Sequence, residues 1–212
     1  ADNDWWLDVL EWGEESPYAE YFDIDWSSAK LELSNKVLVP FLGDHYGRVL
    51  EAGDLKLGFD VEAGSFSMWY YQHCFPITPG EYPRILRVIL SDYRRRQADD
   101  QTVIKLEDLI VGFRDVGDWS PAIRQPGTRR AEAERLKQQL NDLVERTPAL
   151  VEAIERTLGS LNERPADPEN LLWAHELLEA QHYRLAYWRV AAEEINYRRF
   201  FQINELAGIR IE

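Results

Sequence analysis

The residues of this chain best suited to chemistry are carboxylates set among aromatic rings. There are 38 Asp and Glu, eight Trp, ten Tyr and eight Phe. Rings stack on apolar surfaces, including the C–H faces of sugars. Carboxylates bind hydroxyls or, as a pair, serve as nucleophile and acid/base in glycoside chemistry. Such pairs arise on any acidic, aromatic-rich domain, so composition alone leaves carbohydrate binding as one class among several. Other chemistries fit less well. The sequence has no glycine-rich phosphate loop, no dinucleotide fingerprint and no His-Glu-x-x-His. A single Cys, Cys74, excludes a disulfide framework and a cysteine-based zinc site. His73 and Cys74 are adjacent on a predicted strand and point to opposite faces, which argues against a Cys/His nucleophile. His175 and His182, seven apart, share a helix face only if that helix continues. With no Cys nearby they read as ordinary histidines, so no metal is expected.

Charge narrows the partners. The net charge is −14 over 212 residues, and residues 1–26 contain nine acidic groups and no basic one. A field of that sign repels nucleic acid and anionic lipid. Arg94-Arg95-Arg96 and Arg198-Arg199 therefore read as solvated faces or as partners of the acidic opening. The apolar runs are only a few residues long, so neither a membrane span nor a signal peptide is expected, and the expected location is cytoplasmic. The chain starts at Ala1 and its only Met is Met68, which reads as an internal piece or a processed product.

The elements that must position these groups follow from periodicity. Ser16-Pro17 is a cap-plus-proline start for a short helix over 17–22. Residues 36–42 (KVLVPFL) form a strand that Pro40 confines to an edge or end. Glycines bound the loop Gly43-Asp44-His45-Tyr46-Gly47. Leu55, Leu57, Phe59 and Val61 alternate with polar positions, as do Phe66, Met68 and Tyr70 after Ala63-Gly64-Ser65, which predicts a β-hairpin. A lone hairpin is marginal in water and needs further strands or a helix. From Pro76 onward the period becomes helical, over 80–96, 102–114, 129–146, 148–158 and 168–181, with Thr147-Pro148 and Asp167-Pro168 as starts. The expectation is α+β: a small antiparallel β region near 36–75 and a helical majority. Three stretches follow, an aromatic acidic entry with the β region over 1–76, helices over 77–181, and an aromatic, arginine-rich segment over 182–212.

Ordered motifs go beyond composition. Trp5-Trp6-Leu7-Asp8-Val9-Leu10-Glu11, Ser16-Pro17-Tyr18-Ala19 and Phe22-Asp23-Ile24-Asp25-Trp26 open the chain. Lys36-Val37-Leu38-Val39-Pro40, Leu42-Gly43-Asp44-His45-Tyr46-Gly47 and Leu50-Glu51-Ala52-Gly53 follow. Glu179-Ala180-Gln181-His182-Tyr183-Arg184-Leu185-Ala186-Tyr187-Trp188-Arg189, Glu194-Ile195-Asn196-Tyr197-Arg198-Arg199-Phe200-Phe201 and Leu206-Ala207-Gly208 close it. In this order the blocks resemble maltooligosyl trehalose synthases, intramolecular transglycosylases of the α-amylase clan. Two departures stand out. Trp12 replaces a common Asn, which is expected to be a surface change. Gln202 replaces a common Asp and puts any polar role there in doubt.

The resemblance implies an insertion subdomain of a (β/α)8 barrel, lying between barrel strand 3 and the helix after it. It implies that the nucleophile and acid/base carboxylates lie outside this chain. Gly208-Ile209-Arg210-Ile211-Glu212 imitates the family's nucleophile strand but continues the preceding block, so no catalytic residue is assigned. The implied reaction turns the reducing-end α-1,4 bond of a maltooligosaccharide into an α,α-1,1 bond without a cofactor, and water must be kept out. The implied partners are the maltooligosaccharide substrate and the rest of the barrel. Tyr197, Arg198, Arg199, Phe200, Trp188, His45 and Tyr46 are the candidates for the substrate wall. The chain alone is expected to be inactive. The rival expectations are a non-catalytic carbohydrate-binding domain and a purely structural one. An insertion also leaves and re-enters its host at neighbouring points, so Ala1 and Glu212 are expected close together.

Overall fold

The computed structural model describes residues 3–27, 33–96, 99–118, 127–163, 167–191 and 195–197. The expected proximity of Ala1 and Glu212 lies outside them. So do Arg198, Arg199, Phe200 and Gln202. The architecture is α+β, mostly helical, with a three-stranded antiparallel meander. The chain divides into two compact units, each assembled from separated segments.

The first unit comprises Ala1–Leu55, Tyr70–Pro76 and Pro165–Glu212. It opens with helix α1 (Asp4–Trp12), capped by the Asn3 carboxamide, which accepts from the N–H groups of Trp5 and Trp6. Gly13, at φ +62°, ends the helix. This helix was not expected, whereas the helix expected over 17–22 is only a 3-10 turn at Ala19–Tyr21. Ser16 does cap, accepting from Tyr18 N–H at 3.1 Å, but Ser16 Oγ also donates to Asp8 at 2.6 Å. Trp12 is not a surface change. It lies 2% exposed beside Val9 and Leu10 on the inner side of α1, where a large ring fills core volume.

Strand β1 (Val37–Leu42) leads into α2 (Tyr46–Ala52), which Gly53 stops in the left-handed conformation. After α7 (Pro168–Glu179), opened as expected by Asp167 and Pro168, come β5 (Tyr183–Tyr187) and α8 (Trp188–Ala191). Strand β1 does not join the antiparallel meander. It pairs in parallel with β5, with Val37 opposite Tyr183 and Leu42 opposite Tyr187. The register slips between Val39 and Leu42, where Pro40 has no N–H to offer. Asn196 then ties distant backbone together. Its Oδ1 accepts from Leu38 N–H at 2.9 Å, and its Nδ2 donates to the carbonyls of Lys36 at 2.7 Å and Asp25 at 3.0 Å.

The second unit comprises Lys56–Trp69 and Ile77–Arg164. It contains nearly all of the expected hairpin, β2 (Leu55–Asp60) and β3 (Ser65–Tyr70); β4 (His73–Pro76), the last strand in the order β2-β3-β4, belongs to the first unit. Four helices follow: α3 (Tyr82–Arg96), α4 (Asp100–Gly117), α5 (Thr128–Arg146) and α6 (Pro148–Glu163). Each packs on the next and α6 returns to α3. Their buried faces are Ile85, Leu86, Ile89 and Leu90 on α3, Leu136, Leu140 and Val144 on α5, and Leu150 and Ile154 on α6. Helix α6 runs more than a turn past its expected end and carries Asn162 to β2. The Asn162 carboxamide accepts from Leu57 N–H and donates to Leu57 C=O, both at 2.9 Å, standing in for a neighbouring strand at that point of β2. Asn141 likewise donates to the carbonyls of Val61 and Glu62 in the β2–β3 turn. Gly64 in that turn has φ +58°, and a Cβ there would collide with the Lys137 carbonyl. The Arg94-Arg95-Arg96 run is a solvated face paired locally, Arg94 with Glu107 and Arg95 and Arg96 with Asp92.

Candidate functional site

Because β1 and β5 are parallel, their carboxyl ends lie side by side, and the loop after β1 meets the residues after β5. This places two sequence-expected residues, His45 and Trp188, around Tyr187, which was not among the expected ones, in the first unit. The exposed His45 ring tilts over Tyr187 at 5.2 Å between centroids. Trp188 follows edge-on at 6.4 Å from Tyr187, 43% exposed, with the Arg189 guanidinium 5.1 Å over its ring. Asp44 accepts from His45 N–H at 2.7 Å, which pulls its carboxyl below the usual range, helped by Arg48 at 3.5 Å. Gly43 N–H donates to Tyr70 Oη at 2.9 Å, fixing the start of the loop. The result is a ring surface bordered by one carboxylate and two guanidinium groups.

Tyr46 opens α2 and turns to α7, where its Oη lies 3.1 Å from His175 Nδ1. Burial, then the Glu179 charge, raises the Tyr46 phenol well above its ordinary range, with Arg184 opposing. The direction of this hydrogen bond follows the tautomer of His175, and either way it links α2 to α7. Glu179 in turn pairs with Lys36 at 3.6 Å and Arg184 at 3.9 Å. His175 was not expected at the site; its helix was readable, but neither α2 nor the contact with Tyr46 was. His182 does not share that helix, because α7 stops at Glu179; its ring packs against Gly13 instead.

Tyr197 is 7% exposed, paired with Ile24 across a β-bridge and tilted against Trp6 at 5.0 Å. It therefore braces α1 from within. Arg198, Arg199 and Phe200 lie outside the described residues. His73 is edge-on to Phe41 at 4.8 Å, and Cys74 is half-buried and in no disulfide. Among the described residues, no three His, Cys, Asp or Glu side chains gather as a metal would require. No helix among them is long and apolar enough to cross a membrane.

Fold and site define an α+β segment with an aromatic surface at the ends of two parallel strands. Comparison with known proteins shows what the chain is similar to. Over 63 residues, 26% of the chain, the sequence is 40% identical to the putative maltooligosyl trehalose synthase of Mycobacterium tuberculosis, in each of two strains. The family resemblance read from the sequence is borne out, and by sequence the chain is related to maltooligosyl trehalose synthases. The match spans only 8% of those relatives' length. A solved maltooligosyltrehalose synthase from Arthrobacter ramosus overlays 98% of the chain and 14% of its own at 23% identity and a TM-score of 0.44. A solved glycosyltrehalose synthase overlays 97% and 16% at 19% identity and a TM-score of 0.42. No protein-family model matches the chain.

Proposed function

We propose that this chain is part of an enzyme that isomerises the reducing end of maltooligosaccharides, moving an α-1,4 bond to an α,α-1,1 bond in trehalose biosynthesis. The observation that carries this reading is the 40% identity over 63 residues to a putative maltooligosyl trehalose synthase. In this reading the chain is an insertion in a (β/α)8 barrel of the α-amylase clan, acts in the cytoplasm and needs no cofactor. The barrel supplies the two carboxylates, roughly 5–5.5 Å apart, that a retaining mechanism requires. The chain's own contribution is a wall. The His45–Tyr187–Trp188 surface offers rings to sugar C–H faces, while Asp44, Arg48 and Arg189 offer acceptors and donors to hydroxyls. A closed wall keeps the cleaved glucose in place until its anomeric hydroxyl attacks, and keeps water from attacking first.

The test is product analysis on maltopentaose. An enzyme containing this segment is expected to consume reducing ends and form a trehalose-ended product, whereas the 212-residue chain alone forms none. Trp188→Ala in that enzyme is expected to raise free glucose relative to trehalose-ended product several-fold. An unchanged ratio in both Trp188→Ala and His45→Ala would sink the wall. Trehalose-ended product from the chain alone would contradict the assignment of catalysis to the barrel.

A further inference from the structure

A second aromatic surface, outside the set expected from the sequence, lies on α1 and the turn after it. We propose that Trp5, backed by Tyr18 and Tyr21, is a platform that takes one pyranose ring of a neutral oligosaccharide. Adjacent residues on a helix diverge by about 100°. Trp6 accordingly points inward, 5.1 Å from Phe22 and 5.0 Å from Tyr197, while Trp5 points out and is 42% exposed. Tyr18 stacks on Trp5 at 5.2 Å with planes 6° apart, and Tyr21 lies 5.4 Å from Trp5 at 34°. The two Tyr centroids are 6.5 Å apart. With both tyrosines beside it, the Trp5 side chain still keeps a large open surface.

The platform is held before any ligand arrives. Asn3 caps α1 at Trp5, and the Asp8–Ser16–Tyr18 hydrogen bonds tie the helix to the turn that presents Tyr18. Preorganisation of this kind lowers the ordering cost of binding. The surroundings select the ligand. Residues 1–26 have no Lys or Arg, and Asp4, Glu14 and Glu20 are exposed. The exposed carboxylates of Asp4, next to Trp5 in sequence, and Glu20, next to Tyr21, offer acceptors to a ligand rich in hydroxyl donors and disfavour an anionic one. A wholly apolar partner would strip water from those carboxylates without replacing its hydrogen bonds. A pyranose meets both demands, with C–H groups for the indole face and hydroxyls for the carboxylates. That the sugar is an α-1,4 glucan rests on the function proposed above; that it is a neutral pyranose does not.

The full chain labelled with 5-fluorotryptophan tests this by fluorine NMR, with Trp5 assigned from a Trp5→Phe variant. Maltopentaose is expected to shift the Trp5 signal saturably, at a half-saturation of ~1–10 mM, and to leave the buried Trp12 signal in place. Saturation transfer to the sugar is expected to fall about tenfold in Trp5→Ala and to persist in Trp5→Phe. Tyr21→Ala, with an unmoved Trp12 signal as the check on folding, is expected to weaken binding too. No Trp5 shift with maltopentaose, cellopentaose or xylopentaose, or a shift only with an arginine-rich peptide, overturns the platform. A shift with cellopentaose and not with maltopentaose upholds the platform and counts against the glucan reading above. An enzyme containing this segment that forms trehalose ends normally, with no Trp5 response to any of these sugars, leaves that reading standing and removes the platform.

Discussion

The two units are built by different rules. The second is made of neighbours in sequence: a hairpin, then four helices each packed on the next. The first is made of strangers, with β1 paired to β5 and Asn196 bonded to Leu38 across 158 residues. Each unit nonetheless uses the same device where its sheet would otherwise end. An asparagine carboxamide, Asn162 in the second and Asn196 in the first, bonds the strand backbone as another strand would. The lesson is that local periodicity can specify helices and hairpins, whereas pairing across long stretches of chain is specified by a few polar side chains.

The strongest way to break this comparison is Gly64→Val. It puts a β-branched residue at φ +58° against a backbone carbonyl that cannot step aside, and is expected to cost about 3–4 kcal/mol. Amide exchange is expected to accelerate over 56–69 and 77–164 and to stay near native over 37–42 and 183–187. Equal acceleration in both would show that the division into two units has no energetic meaning. Next is Asn196→Ala, which strips partners from Leu38 N–H, Lys36 C=O and Asp25 C=O. It is expected to cost about 2 kcal/mol and to expose the Leu38 amide first. Asn162→Ala is expected to cost about 1–2 kcal/mol in urea unfolding, because only Leu57 is orphaned.

The smallest effect is a pH dependence confined to the second unit. Asp99, the cap of α4, accepts from Tyr93 Oη at 2.6 Å and from Thr102 N–H at 2.9 Å, and these hydrogen bonds lower its pKa from 3.8 to about 2. A carboxyl lowered in the folded state stabilises fully above its ordinary pKa, and that contribution fades as pH falls from about 4 through 2. Asp99→Asn is expected to flatten this acid limb of the stability curve and to leave the first unit unaffected. An acid limb identical to that of the parent chain would refute this role for Asp99.

Much of the second unit was legible in the sequence. Its helices repeat apolar residues at helical spacing, Thr147-Pro148 marks the start of α6, and the hairpin alternates through Leu57, Phe66 and Met68. The end of α6 was not; Asn162 there bonds a strand about a hundred residues earlier. In the first unit the pattern ran out sooner. Residues 36–42 were readable as a strand, but nothing local says that their partner is 183–187 or that the pairing is parallel. The site followed suit. His45 was legible as a ring in a glycine-bounded loop and Trp188 as a ring in the closing aromatic segment, while His175 drew its place from a helix packed against α2. The Trp5 platform went unread because Trp5 and Trp6 have the same type, and only the rotation of α1 separates an outward ring from an inward one.

The parallel pairing of β1 with β5 also sets an order in time. During synthesis β1 leaves the ribosome long before β5 exists, and the whole run from Lys56 to Trp69 and from Ile77 to Arg164 is made in between. Those stretches hold the contacts that form fastest, helices and a hairpin of short sequence separation. Closing so long a stretch while it is unfolded costs more chain entropy than closing it once it is compact. The second unit thus shortens the span that β1 and β5 must bridge, and serves as an internal splint for a strand pair that forms late.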